Sequence, residues 1–330
     1  MGRLRTAAAL AALLLAGCTA GGPDSPAPGP GPAPATTATP GAGRGPAWRR
    51  LAPVPSQRTE VAAAAVGSRI WVLGGYGSDG TTLATAEVFD TGAGTWSRGP
   101  DLPVAVNHAM AATLDGVLYV AGGNDDQGPS TQVARLDGNG WHTLAALPQG
   151  RSAGGLVALD GRLYLVGGVV DGGLAADTQV YDPDADRWSS APGLPTPREH
   201  LGAAAAGGRV YVVGGRVRGV GNNLAAAEVF DPGAGRWGAV ADLPTARGGL
   251  AATATAGGLV VAVGGEAAAT FPEAEAFDPA SGRWRSLPPL PTPRHGLGVV
   301  AVGEVVYVLA GGPRPGLHTS SANEAIDLGS

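Results

Sequence analysis

The chain contains no lysine: all 22 of its basic residues are arginine. Chemistry that runs through a lysine Schiff base is therefore excluded. Cysteine occurs once, at Cys18, so no disulfide can form within the chain. Aromatic residues make up only 5% of the 330 positions. No apolar run approaches the roughly 20 residues that a membrane-spanning helix requires. Positive charge is also in short supply. The formal net charge is −5, which argues against nucleic acid as a partner, because binding phosphates needs a basic face.

What the chain has in abundance is glycine and proline, 56 and 28 residues, with 44% hydrophobic content. That composition suits many short strands joined by turns around one large core. The stretch from Arg198 to Trp237 shows the unit: an apolar run, the strand V-Y-V-V ending in Gly214-Gly215, a loop, then A-E-V-F-D-P and a Trp. Glycine pairs recur at Gly74-Gly75, Gly122-Gly123, Gly167-Gly168, Gly214-Gly215, Gly264-Gly265 and Gly311-Gly312. Trp96, Trp141, Trp188, Trp237 and Trp284 keep step with them. A period of about 45 to 50 residues is the mark of a propeller or a similar array. The segments before the glycine pairs, such as R-I-W-V-L and R-L-Y-L-V, are near-continuous apolar runs that suit strands buried on both faces.

The order apolar run, Gly-Gly, E-V-F-D-P, R-W, L-P-T-P-R resembles the kelch repeat, one four-stranded blade per unit. The resemblance covers nearly everything from Trp48 to Leu328 and implies an all-β, six-bladed kelch β-propeller over residues 47–330. Trp48 stands alone in A-W-R-R-L, like the end of a repeat, while the C-terminal N-E-A-I-D-L lacks its Trp. The split predicts that Trp48–Leu51 supplies the outer strand of the last blade and removes the exposed sheet edges.

Residues 1–17 read as a targeting segment, with Arg3, Arg5 and the apolar Ala7–Leu15 before Leu15-Ala16-Gly17-Cys18. This resembles a bacterial lipoprotein signal, which implies that Cys18 becomes the lipidated N-terminus and that the membrane is reached through a lipid anchor only. Residues 18–46, rich in Pro and Gly, form an extended tether. The domain is expected on the extracytoplasmic side, as a monomer.

For chemistry, the Trp series and Tyr119, Tyr164, Tyr211 and Tyr307 read as core. A copper-radical oxidase of the galactose oxidase type shares the kelch propeller, but its Tyr–Cys crosslink cannot form here, because Cys18 lies outside the domain. The five His are scattered without ligand spacing, so no metal, no cofactor and no catalytic residue is expected. Asn124-Asp125-Asp126-Gln127 reads as a solvated loop. Glu87, Glu228, Glu275 and Glu324 share one register and read as partners for loop N–H groups or for Arg. Arg58, Arg151, Arg198, Arg247 and Arg294 open each inner strand; only the second blade departs, with V-A-V-N-H beside Asn107 and His108. Alternating strand directions would place these arginines around the channel mouth, with Arg216 and Arg218 on the fourth loop. Kelch proteins that bind peptides use such arginines on acidic ligands, and the resemblance implies the same for Arg58, Arg151, Arg198, Arg216, Arg247 and Arg294. A role in pinning the blades is the alternative for the series. Two functions follow as expectations. The first is a tethered binding or scaffold module for a protein or glycan ligand, with an acidic ligand on the loop face. The second is a sugar-acid mutarotase resembling N-acetylneuraminate epimerase, which would place an acid, His or Tyr in the mouth at a position where sibling blades lack one.

Overall fold

The computed structural model describes residues 45–329, all of whose regular structure is β. The signal segment 1–17, the lipidation site Cys18 and the tether up to residue 44 lie outside the described residues.

Six four-stranded antiparallel sheets form the blades. The inner strands are Ala62–Val66, Met110–Leu114, Gly155–Leu159, Gly202–Ala206, Ala251–Ala254 and Gly298–Val302. They pack side by side, and the sixth returns to the first. Their many alanines, including Ala63, Ala111, Ala203 and Ala252, line a channel of about 290 Å³. Small side chains let six inner strands crowd around one axis. The second strands, such as Val260–Val263 and Arg209–Val213, are buried along almost their whole length between neighbouring blades, as their unbroken apolar sequence requires.

Closure follows the split repeat. Trp48–Arg50 pairs antiparallel with Asn323–Asp327 in the register Trp48↔Ile326, Arg49↔Ala325, Arg50↔Glu324. The last blade therefore takes its outer strand from the N-terminal side of the domain.

The six outer-strand tryptophans link each blade to the one before it. Trp96 Nε1 donates to Ala52 O at 2.9 Å, Trp188 to Ala145 O at 3.0 Å, Trp284 to Ala241 O at 2.7 Å and Trp48 to Pro288 O at 2.7 Å. Trp141 and Trp237 make the same bond to Pro100 and Pro192. Each indole thus satisfies its polar handle on a neighbouring linker; the rings of Trp96, Trp188, Trp237 and Trp284 pack on third-strand aromatics, as Trp284 does on Phe277 at 5.2 Å, while Trp141 and Trp48 stand opposite Leu136 and Ile326.

The glycine pair is where the next blade docks. Gly75 N donates to Val106 O, Gly123 N to Arg151 O and Gly215 N to Arg247 O, at 2.8 to 2.9 Å. Gly74 is left-handed (φ 58°), and a Cβ there would lie 2.3 Å from Val106 O, so only glycine admits this approach. In the last blade the equivalent positions are Ala310, left-handed at φ 55°, and Gly311, whose N–H reaches Arg58 O. The pair Gly311-Gly312 is thus one residue out of step with the other five.

Candidate functional site at the channel mouth

The arginine series lies elsewhere than the sequence suggested. Regular pairing of each inner strand begins four residues after the arginine, at Ala62, Gly155, Gly202, Ala251 and Gly298. The arginine belongs to the segment that crosses over the blade top, and its side chain runs outward into the sheet. Arg58, Arg151, Arg198, Arg247 and Arg294 are all 0–1% exposed. Their guanidinium groups do not ring the mouth. Arg198 Nη1 meets Glu228 Oε2 at 2.6 Å, Arg247 Nη1 meets Glu275 Oε2 at 2.5 Å, and Arg294 Nη1 meets Glu324 Oε2 at 2.6 Å. Arg58 takes Glu87 at 3.2 Å. In the third blade, where Gln179 stands at the acid position, Arg151 takes Asp177 at 2.6 Å.

Remaining arginine donors go to second-strand carbonyls, among them Val212, Ala262 and Val308. The Thr of L-P-T-P-R completes the unit: Thr196, Thr245 and Thr292 donate to the other oxygen of the same Glu at 2.8 to 3.0 Å. The second blade replaces Arg by Val106 and Glu by Ala134, which together line a pocket of only about 30 Å³. Both partners are absent in the same blade, as expected of a pair that serves the blade.

What does face the axis is the residue two positions further on. It is Glu60, His108, Ala153, His200, Gly249 and Gly296 in blades one to six, all left-handed with φ between 51° and 70°. Each hands a backbone hydrogen bond to the next: His108 N to Glu60 O, Ala153 N to His108 O, His200 N to Ala153 O, Gly249 N to His200 O and Gly296 N to Gly249 O, all 2.8 to 3.0 Å. Val61 N closes the belt on Gly296 O at 3.3 Å. Glycine suits this conformation without cost. A Glu or His there carries about 1 kcal/mol or more of backbone strain, and such strain clusters at functional sites.

Glu60 is the centre of the resulting cluster. Its Oε2 lies 3.3 Å from His108 Nε2 and 3.9 Å from His200 Nε2, while Oε1 lies 3.1 Å from His295 Nδ1. A Cβ at position 296 would stand 2.6 Å from the Glu60 carboxyl, so Gly296 makes room for it. His108 Nδ1 is 2.6 Å from Asn107 Oδ1, and His200 Nδ1 lies against Glu199 Oε2. Arg216 bridges Glu199 (3.0 Å) and Glu266 (2.7 Å). Arg216, expected as a free positive group for ligand, is thus 8% exposed and neutralised by two carboxylates.

Electrostatics follow from burial and these contacts. Burial alone would raise the Glu60 carboxyl, but His108, His295 and His200 hold it well below the usual carboxylate range. Burial alone would lower His295, yet its hydrogen bond to Glu60 and the Glu60 and Glu266 carboxylates raise it above its ordinary 6.5. His200 goes the other way: burial, with His108, Arg216 and His295 adding to it, outweighs Glu60 and keeps it neutral. A cavity of about 110 Å³, lined by Glu60, His108, His200, Ala153, Gly249 and Gly296 among others, adjoins the cluster in the channel.

The expectation of scattered histidines is therefore corrected. His108, His200 and His295 converge, and Glu60, His108 and His200 bring ligand atoms within 4.8 Å of one another, close enough to share a metal ion. A signal existed: at the position two after the arginine, three blades carry titratable groups where three carry Ala or Gly. The left-handed turn that aims them at one axis is invisible in residues that are not glycine.

Fold and site together define a six-bladed propeller with a polar, titratable cluster at the mouth of its channel. The profile described as the KLHDC2/KLHL20/DRC7 Kelch-repeats domain matches residues 47–193, and the Kelch motif matches residues 197–244 and 247–291. The chain belongs to the kelch-repeat family. It is similar to Kelch-like protein terF of Aspergillus terreus, 33% identical over 132 residues, which cover 36% of this chain and 29% of the relative. It is also similar to Kelch repeat protein M-T8 of Myxoma virus, 30% identical over 128 residues (38% and 25%). Human Kelch-like protein 25 is 32% identical over 128 residues (36% and 22%). The matched region spans less than a third of each of these relatives.

Proposed function

We propose that this chain is an extracytoplasmic, lipid-anchored propeller that binds a partner protein on its loop face, against blades four to six. Kelch-repeat propellers generally serve as protein-binding scaffolds. The observation that carries the placement is that Val220 (43% exposed) and Leu317 (64%), the large hydrophobic residues exposed among the described residues, both stand on post-glycine loops of this one face. Loops four to six are tied together: Asn223 Nδ2 donates to Glu266 O at 2.7 Å, Gly316 N to Glu266 Oε2 at 3.3 Å and Thr270 Oγ1 to Pro313 O at 3.1 Å. Exposed Arg218 and Arg314 flank the two apolar side chains, while the loops of blades one to three expose Asp79, Asp126 and Asp171. A partner segment with an apolar anchor and acidic neighbours fits the basic half of this face.

The acidic ligand expected from sequence is kept, but its contacts move to Arg218 and Arg314, since the blade arginines are buried. Glu60, His108 and His200 meet the mutarotase reading's requirement for an acid or His in the mouth where sibling blades carry Ala or Gly, but Arg216, spanned by Glu199 and Glu266, is not free to hold a sugar carboxylate, and the partner-protein reading is preferred.

A photocrosslinking residue at position 317, on intact cells, should give a discrete protein adduct that is lost in the Arg218→Glu/Arg314→Glu variant. The same probe at Ala93, on the opposite face, should give none. Equal adducts from both positions, or none from 317, would end this reading. The anchor is tested separately. Cys18→Ala should release the protein from membranes or block its processing; a wild type found in the soluble fraction would remove the anchor. A single acyl chain gives marginal binding, so stable anchoring rests on more than one.

A further inference from the structure

We propose that Glu60, His108 and His200 form a binding site for one divalent transition-metal ion where the six blades meet. The orientation of the two imidazoles carries this. Asn107 donates through Nδ2 to Thr82 Oγ1 at 2.9 Å, which turns its Oδ1 toward His108. His108 Nδ1 therefore donates to Asn107 Oδ1, at 2.6 Å. His200 Nδ1 likewise lies against the Glu199 carboxylate, itself held by Arg216. With each Nδ1 set against a neighbour, both rings turn Nε2 toward the axis, and the two Nε2 atoms converge on Glu60 Oε2 at 3.3 and 3.9 Å. Three ligand atoms thus lie within 4.8 Å of one another, the arrangement that one shared cation requires.

The surroundings match a metal site in three further respects. Carboxylate or amide partners on the far nitrogen are how metal-binding histidines are oriented, and both rings have one. His295 occupies Glu60 Oε1, which leaves Oε2 as a single inward donor. A bound divalent ion has its ligands at about 2.0–2.2 Å, which sets donors roughly 3.3–3.5 Å apart in tetrahedral geometry. The His108–Glu60 separation already has that value, and the His200–Glu60 separation exceeds it by only a few tenths of an ångström.

Two imidazoles and one carboxylate select zinc, cobalt or ferrous iron over calcium and magnesium, which prefer all-oxygen sites. Ala153, Gly249 and Gly296 offer no polar side chain at the remaining ring positions, and the 110 Å³ cavity has room for water at the open coordination positions. The site does not depend on the loop-face partner.

The test uses the full chain, stripped with a chelator and titrated with Co²⁺ and Zn²⁺. One ion should bind per chain, with visible ligand-field bands for Co²⁺ that excess Mg²⁺ leaves unchanged. His108→Gly and His200→Gly should abolish binding. Glycine already holds this ring position in blades five and six, so the backbone accepts it. Asn107→Ala should weaken binding about tenfold by freeing the His108 ring. His142→Ala and His318→Ala, away from the cluster, should bind as the wild type does. If a glycine variant loses its melting transition, Glu60→Gln replaces it, keeping the side-chain volume while removing the charge. Absence of stoichiometric binding by the wild type, with the Nε2 contacts satisfied by a proton alone, would overturn the site. So would unchanged binding by the glycine or glutamine variants.

Discussion

His295 Nδ1 lies 3.1 Å from Glu60 Oε1, joining residues 235 positions apart in the last and first blades. His295 Nε2 faces two acceptors, Arg314 O and Gly316 O at 3.1 and 3.0 Å. With carboxylates on one nitrogen and carbonyls on the other, both nitrogens donate, so the ring is an imidazolium.

The charge on this pair makes ring closure sensitive to pH. Facing it are Glu266, at 3.6 Å from Nδ1, and, around Glu60, His108 and His200. A raised His295 stabilises the fold fully below its unfolded value near 6.5, and that contribution is lost as pH rises through the folded value. A depressed Glu60 contributes above its unfolded value near 4.5, and that is lost as pH falls. The pair therefore contributes most between those two values. In chelator-treated protein, the His295 ring resonance should titrate above 6.5, and Glu60→Gln should bring it below. A His295 midpoint that does not move on that substitution would refute the pairing.

The outer strand of the last blade is a second point of closure. Removing residues 47–52 takes away the pairing of Trp48–Arg50 with Asn323–Asp327 and the indole bond to Pro288. It also exposes a central-strand edge. Trp48→Ala alone should cost about 2 kcal/mol, the sum of one hydrogen bond and part of a buried ring, and the deletion clearly more. Urea unfolding followed by tryptophan fluorescence or circular dichroism reads both. A deletion variant as stable as the wild type would mean that the N-terminal strand does not close the ring.

Strand order, blade number and the split last blade were all legible, because each is written six times or completed at the two ends. The pairing of Arg with Glu was also present, as the alternative to a ligand role, and Val106 with Ala134 marks it in the one blade that lacks both. The direction of the arginine side chain was not legible. It depends on where pairing of the inner strand begins, four residues later than the arginine itself. The channel cluster was hidden for another reason. Glu60, His108 and His200 keep only the blade period, with no short ligand spacing, and they meet, with His295 one residue before Gly296, because a left-handed residue recurs at one place in every blade. Glycine announces that conformation at positions 249 and 296; glutamate and histidine conceal it at 60, 108 and 200.

That left-handed ring predicts a particular tolerance. His200 sits at φ 51°, beside Gly249 at φ 70°. His200→Gly should change stability by no more than about 1 kcal/mol, relief of backbone strain offsetting lost contacts and the greater freedom of the unfolded chain. His200→Val places a β-branched side chain where it is least accepted and should be less stable than the glycine variant by about 2 kcal/mol. Thermal melts of the two variants without metal decide it. Equal stability of the two would mean that the backbone at 200 relaxes out of the left-handed region.

The buried pair of Arg247 and Glu275 allows the structural role of the arginines to be measured against a ligand role. Arg247 is fully buried, donates to Glu275 at 2.5 Å and to the carbonyls of Thr245, Ala262 and Gly264. Arg247→Ala strands the Glu275 carboxylate in the sheet and should cost about 3–5 kcal/mol. Glu275→Ala strands the guanidinium and should cost a similar amount. Arg247→Val with Glu275→Ala copies the second blade, where Val106 and Ala134 occupy these positions beside a void of about 30 Å³. At about 24 cal/mol per Å³ such a void costs under about 1 kcal/mol. The double variant should therefore be more stable than either single one, with a coupling energy above about 2 kcal/mol in the double-mutant cycle. Denaturant unfolding supplies all four corners. Single variants as stable as the wild type would show that the pair does not hold the blade, and strictly additive losses would show that the two side chains do not act as a pair.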